Sequence, residues 1–565
     1  MIDNAAEQNS NSISSGVSKG NTISSSSSSS SPSSSPSSSP SISYWRLLIN
    51  YPKFRYFLIS YIVTELGEWL TYVASLSILE LANDSNIVES SATNSSVDSF
   101  SYIPGESTNQ HHHFLISMLV VCRLIPNTIS SFWGGILADT RDRRLIMFRL
   151  NICGGCVAIV YLIMAMQTLH TESDEDRSTL VSTTSVIILF LCTIAQSTIS
   201  GLYQPSRSSI VPMFVGEDQT DNIEKANEIS SIIWSLSAAV GSSFGGFIVD
   251  HFGVAFCFAT DTILYFTSAI VLAIFVTGNY NVMSTSSEAK SVTAIPNRNV
   301  SSDTNKSITV ESNTECTKST SAESRNRESL TKQLLSHGDS GSKIQGGMRE
   351  LLQEVRFFIT THDSAPYLLI KSCGALLFGA SDVINVTLAQ NPETGVLDPQ
   401  RLGYMFSAIG IGCLLGPISM PPRRCYLSAC IGSYFIIALG YGGMAYSKSF
   451  WWKCFWTIIR SSGSAVLWVD SSILIQTTTP ATLLGRITSI DFAIALLCEA
   501  TSALFAGLGQ DYGMSAQQMS FILSGVGLLL GMIWTLATIY HRQNKQKPSK
   551  ADLTSVEMEP LSMNP

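Results

Sequence analysis

Charge is the scarce commodity in this chain. Only 13% of its 565 residues are Asp, Glu, Lys or Arg, against about 25% in ordinary soluble domains, while 45% are apolar. The formal net charge of -8 leaves no sustained basic face to neutralise phosphates, which excludes nucleic acid as a partner. No G-x-x-x-x-G-K-[ST] loop is present, which argues against an ATP-driven pump. H-E-x-x-H does not occur, and the two G-x-S-x-G matches, at 16–20 in the Ser-rich N-terminus and at 241–245 inside an apolar run, have no strand-to-helix context, so no enzymatic activity and no cofactor are expected. Of the twelve cysteines, all but Cys316 lie in or beside apolar runs, where they read as small hydrophobes rather than a disulfide framework. Cys153 and Cys156 match C-x-x-C, but within an apolar helix they read as packed small residues, and no metal site is expected.

What the chain does have is apolar runs long enough to cross a bilayer core, which takes about 20 residues per helix. Six such runs cover residues 54–79, 114–138, 145–169, 181–202, 229–248 and 254–276. Six more cover 367–388, 402–420, 425–446, 450–476, 487–509 and 521–540. The expected fold class is an all-α membrane protein of twelve transmembrane helices in two six-helix halves. Its divisions are a Ser-rich disordered N-terminus over 1–43, a first half over 44–277, and a disordered linker over 278–347. The second half spans 348–541 and opens with an amphipathic stretch over 348–360, and a polar tail occupies 542–565.

Orientation follows from the positive charges. One alternate set of connections carries Lys53 and Arg55, Arg141, Arg143, Arg144 and Arg149, Arg207 and Lys225, Arg423 and Arg424, Arg486, and finally Arg542, Lys545, Lys547 and Lys550. By the positive-inside rule that set is cytosolic, and with it both termini and the disordered linker. The sequons at Asn83 and Asn94 fall in the first outer loop, where glycosylation is expected. Plasma membrane is the expected location, with an organellar membrane as the alternative.

Charges inside the apolar runs are costly and mark function. They are Glu65 and Glu68 in the first run, Arg123 in the second, Asp261 in the sixth, Lys371 and Asp382 in the seventh, Arg460 and Asp470 in the tenth and Glu499 in the eleventh. Glu65 and Glu68 are three apart and share a helix face. A carboxylate in a partly dry cavity suits proton coupling, so Glu68 and Glu65 lead the candidates, with Asp382 and Glu499 next. Arg123 and Arg460 are the candidate counter-ions, and Lys371, near a membrane edge, either snorkels or lines the cavity.

Four features together resemble the major facilitator superfamily of secondary transporters, especially its branch of siderophore and macrolide exporters. The first is Gly134-Gly135-Ile136-Leu137-Ala138-Asp139 followed by Arg141, Arg143 and Arg144, similar to the family's loop between helices 2 and 3. Leu66-Gly67-Glu68-Trp69 resembles the branch's opening helix. Tyr203-Gln204-Pro205-Ser206-Arg207 with Pro212 and Ala226-Asn227, and Gln476, Pro480 and Gly485-Arg486, resemble signatures after helices 4 and 10. The resemblance implies two pseudo-symmetric halves and a cavity lined by helices 1, 4, 7 and 10. It also implies a gate in which Gly135, Leu137, Ala138, Asp139, Arg143 and Arg144 meet helix 11 in the outward-open state. Gly241-Ser242-Ser243-Phe244-Gly245-Gly246 approaches the family's exporter motif, with serine in place of proline.

The expected function is therefore secondary active transport of a small organic or amphiphilic solute across a lipid bilayer by alternating access, coupled to protons and directed outward as an antiporter. Import or lipid-related transport by the same fold, or a non-transporting receptor or scaffold, are the alternatives.

Overall fold

The computed structural model describes residues 44–94, 112–170, 175–215, 220–278, 280, 365–392, 394–421, 425–479 and 481–546. Twelve of its helices are long and apolar enough to span a membrane. In chain order they are α1 Pro52–Asn94, α2 His112–Thr140, α3 Arg143–His170, α4 Glu175–Val215, α5 Thr220–Phe252 and α6 Val254–Phe275, then α7 Leu368–Ala389, α8 Pro399–Ser419, α9 Tyr426–Tyr446, α10 Phe450–Thr478, α11 Ala481–Asp511 and α12 Ala516–Gln546. Several outrun the apolar stretches that announce them, because hydropathy registers only the part of a helix that needs lipid. α4 continues through Pro205 and Pro212 to Val215, so Arg207 lies in its closing turns rather than in a connection. The expected amphipathic stretch 348–360, the Ser-rich N-terminus, the linker and the side chains of Asn83, Asn94, Asp139 and Arg486 lie outside the described residues.

The halves repeat one packing scheme. α1 packs on α5, α2 on α4, α3 on α4 and α6; six places on, α7 packs on α11, α8 on α10, α9 on α10 and α12. Between halves, α2 meets α11 and α5 meets α8, the same contact under the repeat. An even number of spans returns the chain to the membrane face where α1 began, here called the termini face; the other is the far face.

Charges bind each half internally. Arg143 donates to the carbonyls of Ala138 (3.2 Å) and Ser209 (2.9 Å), and Arg144 to those of Leu272 (3.1 Å) and Ala273 (2.6 Å). Two guanidiniums thus satisfy carbonyls at the ends of α2 and α6 that have no partner within their own helix, a placement the helix dipole also favours. In the second half Lys371 of α7 forms a buried ion pair with Asp491 of α11 and donates to Ser472 of α10 at 2.8 Å. Lys371 is 3% exposed and Asp491 1%, which corrects the snorkelling alternative. The cysteines of Cys153-Gly-Gly-Cys156 are also exposed, not packed; the two glycines make the close contacts, against Tyr265 and Phe266 of α6. Ahead of α1, a short helix Tyr44–Asn50 is tied to α5 by a 2.6 Å bond from the Tyr44 hydroxyl to Glu228. That bond and burial push the phenol up to about 12.

The halves touch chiefly toward the far face. Asp511, ending α11, accepts from the backbone N–H groups of His113 and Phe114 at the start of α2, each at 2.9 Å. Gln390 donates to Glu80 at 3.2 Å and Gln400 to Asp250 at 2.9 Å. Ser242 and Ser243 of α5 meet Ser407 of α8 at 3.1 and 2.5 Å, so the serine standing where the exporter motif has proline takes part in this contact. At Gly507 of α11, an added Cβ would collide with Ser117 of α2. Ser117 and Gly135 lie about five full turns apart on α2 and so share a face, yet a Cβ on Gly135 would meet nothing within 4 Å. Between them Pro126 allows a bend. The α2–α11 pair therefore closes at the far face and parts toward the termini face.

Two consequences are measurable. Asp511→Ala removes a cap that crosses the halves, worth about 1 kcal/mol or roughly a fivefold shift. Spin labels at the termini-face ends of α2 and α11 should then populate the shorter distance more; an unchanged distribution would refute the closure assigned to this contact. Asp491→Asn leaves Lys371 buried without its counter-ion and should cost about 3–5 kcal/mol of stability. Thermal unfolding in detergent should show the loss, with most of it recovered in Lys371→Met/Asp491→Leu; a near-neutral single variant contradicts the pairing.

Candidate functional site

The halves meet at mid-depth on one tyrosine. Tyr72 of α1 donates its hydroxyl to Asp382 of α7 at 2.8 Å, across the interface. Its ring stands edge-on to Phe406 of α8 at 5.2 Å, and Trp69 lies 6.1 Å from Tyr72 and 5.9 Å from Trp234 of α5. Over this aromatic corner sits the Arg123 guanidinium of α2, 4.1 Å from the Tyr72 ring centroid and 5.5 Å from Trp69. Cation–π contact is worth most where water is absent, so Arg123 is held by ring faces as well as by charges. Those charges are Asp382, Glu68 and Glu499, all within its electrostatic reach.

Glu68 and Glu65 share the α1 face below this corner. Glu65 lies 5% exposed, with Tyr61, Arg207 and Glu68 as its neighbours. Arg207, expected in a cytosolic connection, instead stacks its guanidinium 4.3 Å from the Tyr61 ring. Gln204, one turn back on α4, closes its fork by accepting from Nε at 3.0 Å and Nη2 at 2.6 Å. The Gln204-Pro205-Ser206-Arg207 stretch thus delivers a cation to the acidic face of α1. Behind that face, Asp261 of α6 accepts from Thr71 at 2.6 Å and packs against Gly67, tying α6 to α1.

On the second half, α7 and α11 are joined by an inserted hydroxyl. Ser502 of α11 accepts from the Ala380 N–H (3.1 Å) and donates to the Leu376 carbonyl (2.5 Å), bridging two groups that one helical turn would join directly. At Gly379 the α7 backbone comes so near the α11 backbone at Glu499 that no Cβ would fit. Asp382 and Glu499 are thereby set at fixed depth on touching helices. Arg460 of α10 is fully buried, 5.1 Å from the Tyr441 ring and 6.0 Å from that of Phe378, with one long bond, 3.5 Å, to the Tyr441 hydroxyl. Asp470, also on α10, is fully buried.

Of the charges singled out from sequence, Glu68, Arg123, Asp382 and Glu499 form one cross-half group; Glu65 joins it through Glu68, and Arg460 through Asp382. Lys371 does not belong to it. Sequence reasoning missed Asp491, although it lies within the expected eleventh run, and missed Tyr72, whose only signal is a polar tip one turn beyond Glu68. Among the described residues no group of three or more His, Cys, Asp and Glu side chains is disposed to hold a metal.

The segment expected to form the gate is described in part. Ala138 is buried, Leu137 half-buried, and Arg143 and Arg144 are engaged as above. Gly134 lies against the α4 backbone at Leu202, while Gly135, on the face that α11 touches farther along, looks onto open space.

Comparison with known proteins agrees with this architecture. The family model described as Major Facilitator Superfamily matches residues 57–497. The "Staphyloferrin A transporter" of Staphylococcus aureus (strain NCTC 8325 / PS 47) is 22% identical over 166 residues, which is 29% of this chain and 37% of that protein. Among solved structures, the inward-open xylose transporter XylE from E. coli superposes with a TM-score of 0.53 at 11% identity, covering 85% of this chain and 95% of the other. A POT family transporter in complex with a thioalcohol-conjugated peptide gives 0.52 at 11% identity, covering 86% and 96%. The chain belongs to the major facilitator superfamily and is a multi-pass membrane protein.

Proposed function

We propose that this protein is a secondary active transporter moving a small organic or amphiphilic solute by alternating access, coupled to protons, with export as the direction suggested by the glycine-rich stretch of α5. One observation carries the coupling. Four carboxylates, Glu65, Glu68, Asp382 and Glu499, lie within electrostatic reach of three guanidiniums, Arg123, Arg207 and Arg460, between them. Buried charges of unequal number are costly, and a proton removes the excess. Because Asp382 and Tyr72 sit on opposite halves, a proton arriving there acts on the bond that joins them.

The gate role of Gly135, Leu137, Ala138, Asp139, Arg143 and Arg144 fits the same scheme. With the far face closed, α2 and α11 are parted at Gly135; closing them there accompanies opening of the far face. The positive-inside distribution supports placing the termini face in the cytosol, with Asn83 and Asn94 outside, and plasma membrane is the membrane we favour. The name of the staphylococcal relative supports a small organic metabolite as cargo.

Glu68→Gln tests the coupling. In proteoliposomes with an imposed pH gradient, proton-linked solute flux should fall at least about tenfold, the scale of losing one positioned proton carrier, while expression and monodispersity are kept. Wild-type flux with wild-type pH dependence would remove Glu68 from the mechanism.

A further inference from the structure

Arg460 differs from the other guanidiniums that face this site. Arg207 has its Nε/Nη2 edge filled by Gln204, and Arg123 lies on the rings of Tyr72 and Trp69 among three carboxylates. Arg460 is 0% exposed, and its single bond runs from Nη1 to Tyr441. Nε and Nη2 have no partner. These two atoms form one side of the planar guanidinium, the edge whose parallel N–H groups match the two oxygens of a carboxylate. A fully buried guanidinium with that edge unfilled is costly to keep, and rings on its flanks do not fill it.

The surroundings narrow what fills it. The rings of Phe378 and Tyr441 lie beside Arg460, their centroids 6.0 and 5.1 Å from its guanidinium carbon, and offer no acceptor to the open edge. Asn385 lies seven residues beyond Phe378 on α7, hence on the same helix face, and is 0% exposed with neither amide atom partnered. Ser461, next to Arg460, is buried with its hydroxyl unpartnered. Asp382 offsets part of the Arg460 charge from a distance, but its Oδ2 is taken by Tyr72, and it makes no bond to the open edge. A partly offset charge holds a spherical anion poorly, whereas a planar group still gains two directed bonds.

We propose that Arg460 is the anchor for a carboxylate of the transported solute, received side-on by Nε and Nη2, with the Asn385 amide and Ser461 hydroxyl serving polar groups on the same molecule. This assigns the solute to the organic carboxylates and rests on the transporter reading above. Arg460→Lys keeps the charge but cannot make the paired contact, and Arg460→Gln removes the charge.

The test is binding to the purified full chain. Acetate, benzoate, succinate and citrate are compared with chloride and with succinamide, the uncharged counterpart, by ligand-dependent thermal stabilisation. At least one carboxylate should stabilise the wild type in a saturable manner that chloride and succinamide do not reproduce. Arg460→Lys and Arg460→Gln should weaken that binding roughly 10- to 100-fold, as expected for losing hydrogen bonds to a charged group. An Arg149→Gln control, which removes an exposed guanidinium of α3, should be monodisperse to the same degree and bind like the wild type. Equal stabilisation by chloride, no stabilisation by any carboxylate, or unchanged binding in both monodisperse Arg460 variants each overturns the assignment. Proton-linked flux in vesicles separates the two readings. If an uncharged solute is carried with wild-type coupling by Arg460→Gln, the carboxylate assignment fails while the transporter reading stands; if the wild type carries no solute of any class against a pH gradient, the transporter reading itself fails.

Discussion

The hydrogen bond from Tyr72 to Asp382 is the contact on which the rest of the molecule turns. It lies at mid-depth, crosses between the halves, and is overlaid by Arg123, which also senses Glu68 and Glu499. A phenol–carboxylate bond between two rigid bodies is short-ranged: a separation of an ångström or two abolishes it. Whatever changes the charge of Asp382, or moves the fixed charge of Arg123, is therefore felt as a change in how firmly the halves are joined. The aromatic corner of Trp69, Tyr72, Trp234 and Phe406 surrounds this bond with apolar rings, and lower local polarity strengthens every charge interaction there.

That junction stands only because each half is firm by itself. Arg143 and Arg144 fasten α2, α3, α4 and α6 through carbonyls, and Lys371 with Asp491 fastens α7 to α11. Ser502, set between Leu376 and Ala380, fixes the same two helices one membrane layer farther on. Helix packing without a hydrophobic driving force depends on close backbone approach and on polar ties of this kind. The two uses of charge are separated in space: toward the termini face it consolidates halves, and from mid-depth to the far face carboxylates accept hydrogen bonds across the interface.

Much of this was written in the sequence, for identifiable reasons. Twelve apolar runs and their six-plus-six spacing follow from the thickness of a bilayer, and every run became a helix. The intramembrane charges could be listed because lipid makes them expensive, and Glu68, Arg123, Asp382 and Glu499 indeed converge. What sequence could not supply was pairing. Arg207 reads as one more basic residue past the end of a span, since hydropathy falls off at 202, and only the continuation of α4 through two prolines brings it to Tyr61 and Glu65. Lys371 reads as a snorkelling residue because its partner, Asp491, is 120 positions away. Gly135 reads as a packing glycine, and in this state it packs against nothing.

The contrast between ties within and between halves bears on how such a protein can move at all. Within halves the ties are ionic or charge-assisted and buried, and breaking one costs several kcal/mol. Between halves they are single hydrogen bonds, from one serine hydroxyl to another or from glutamine amides, one tyrosine and two backbone N–H groups to carboxylates, each worth about 1–3 kcal/mol net. One elementary charge crossing 100 mV supplies about 2.3 kcal/mol, and one bound proton or solute a comparable amount. A driving force of that size can undo the interface contacts a few at a time but leaves the interior of either half intact. The far face can therefore open as a boundary between two preserved bodies, and α2 can swing back toward α11 at Gly135, because the weak bonds lie between the halves and the strong ones within them.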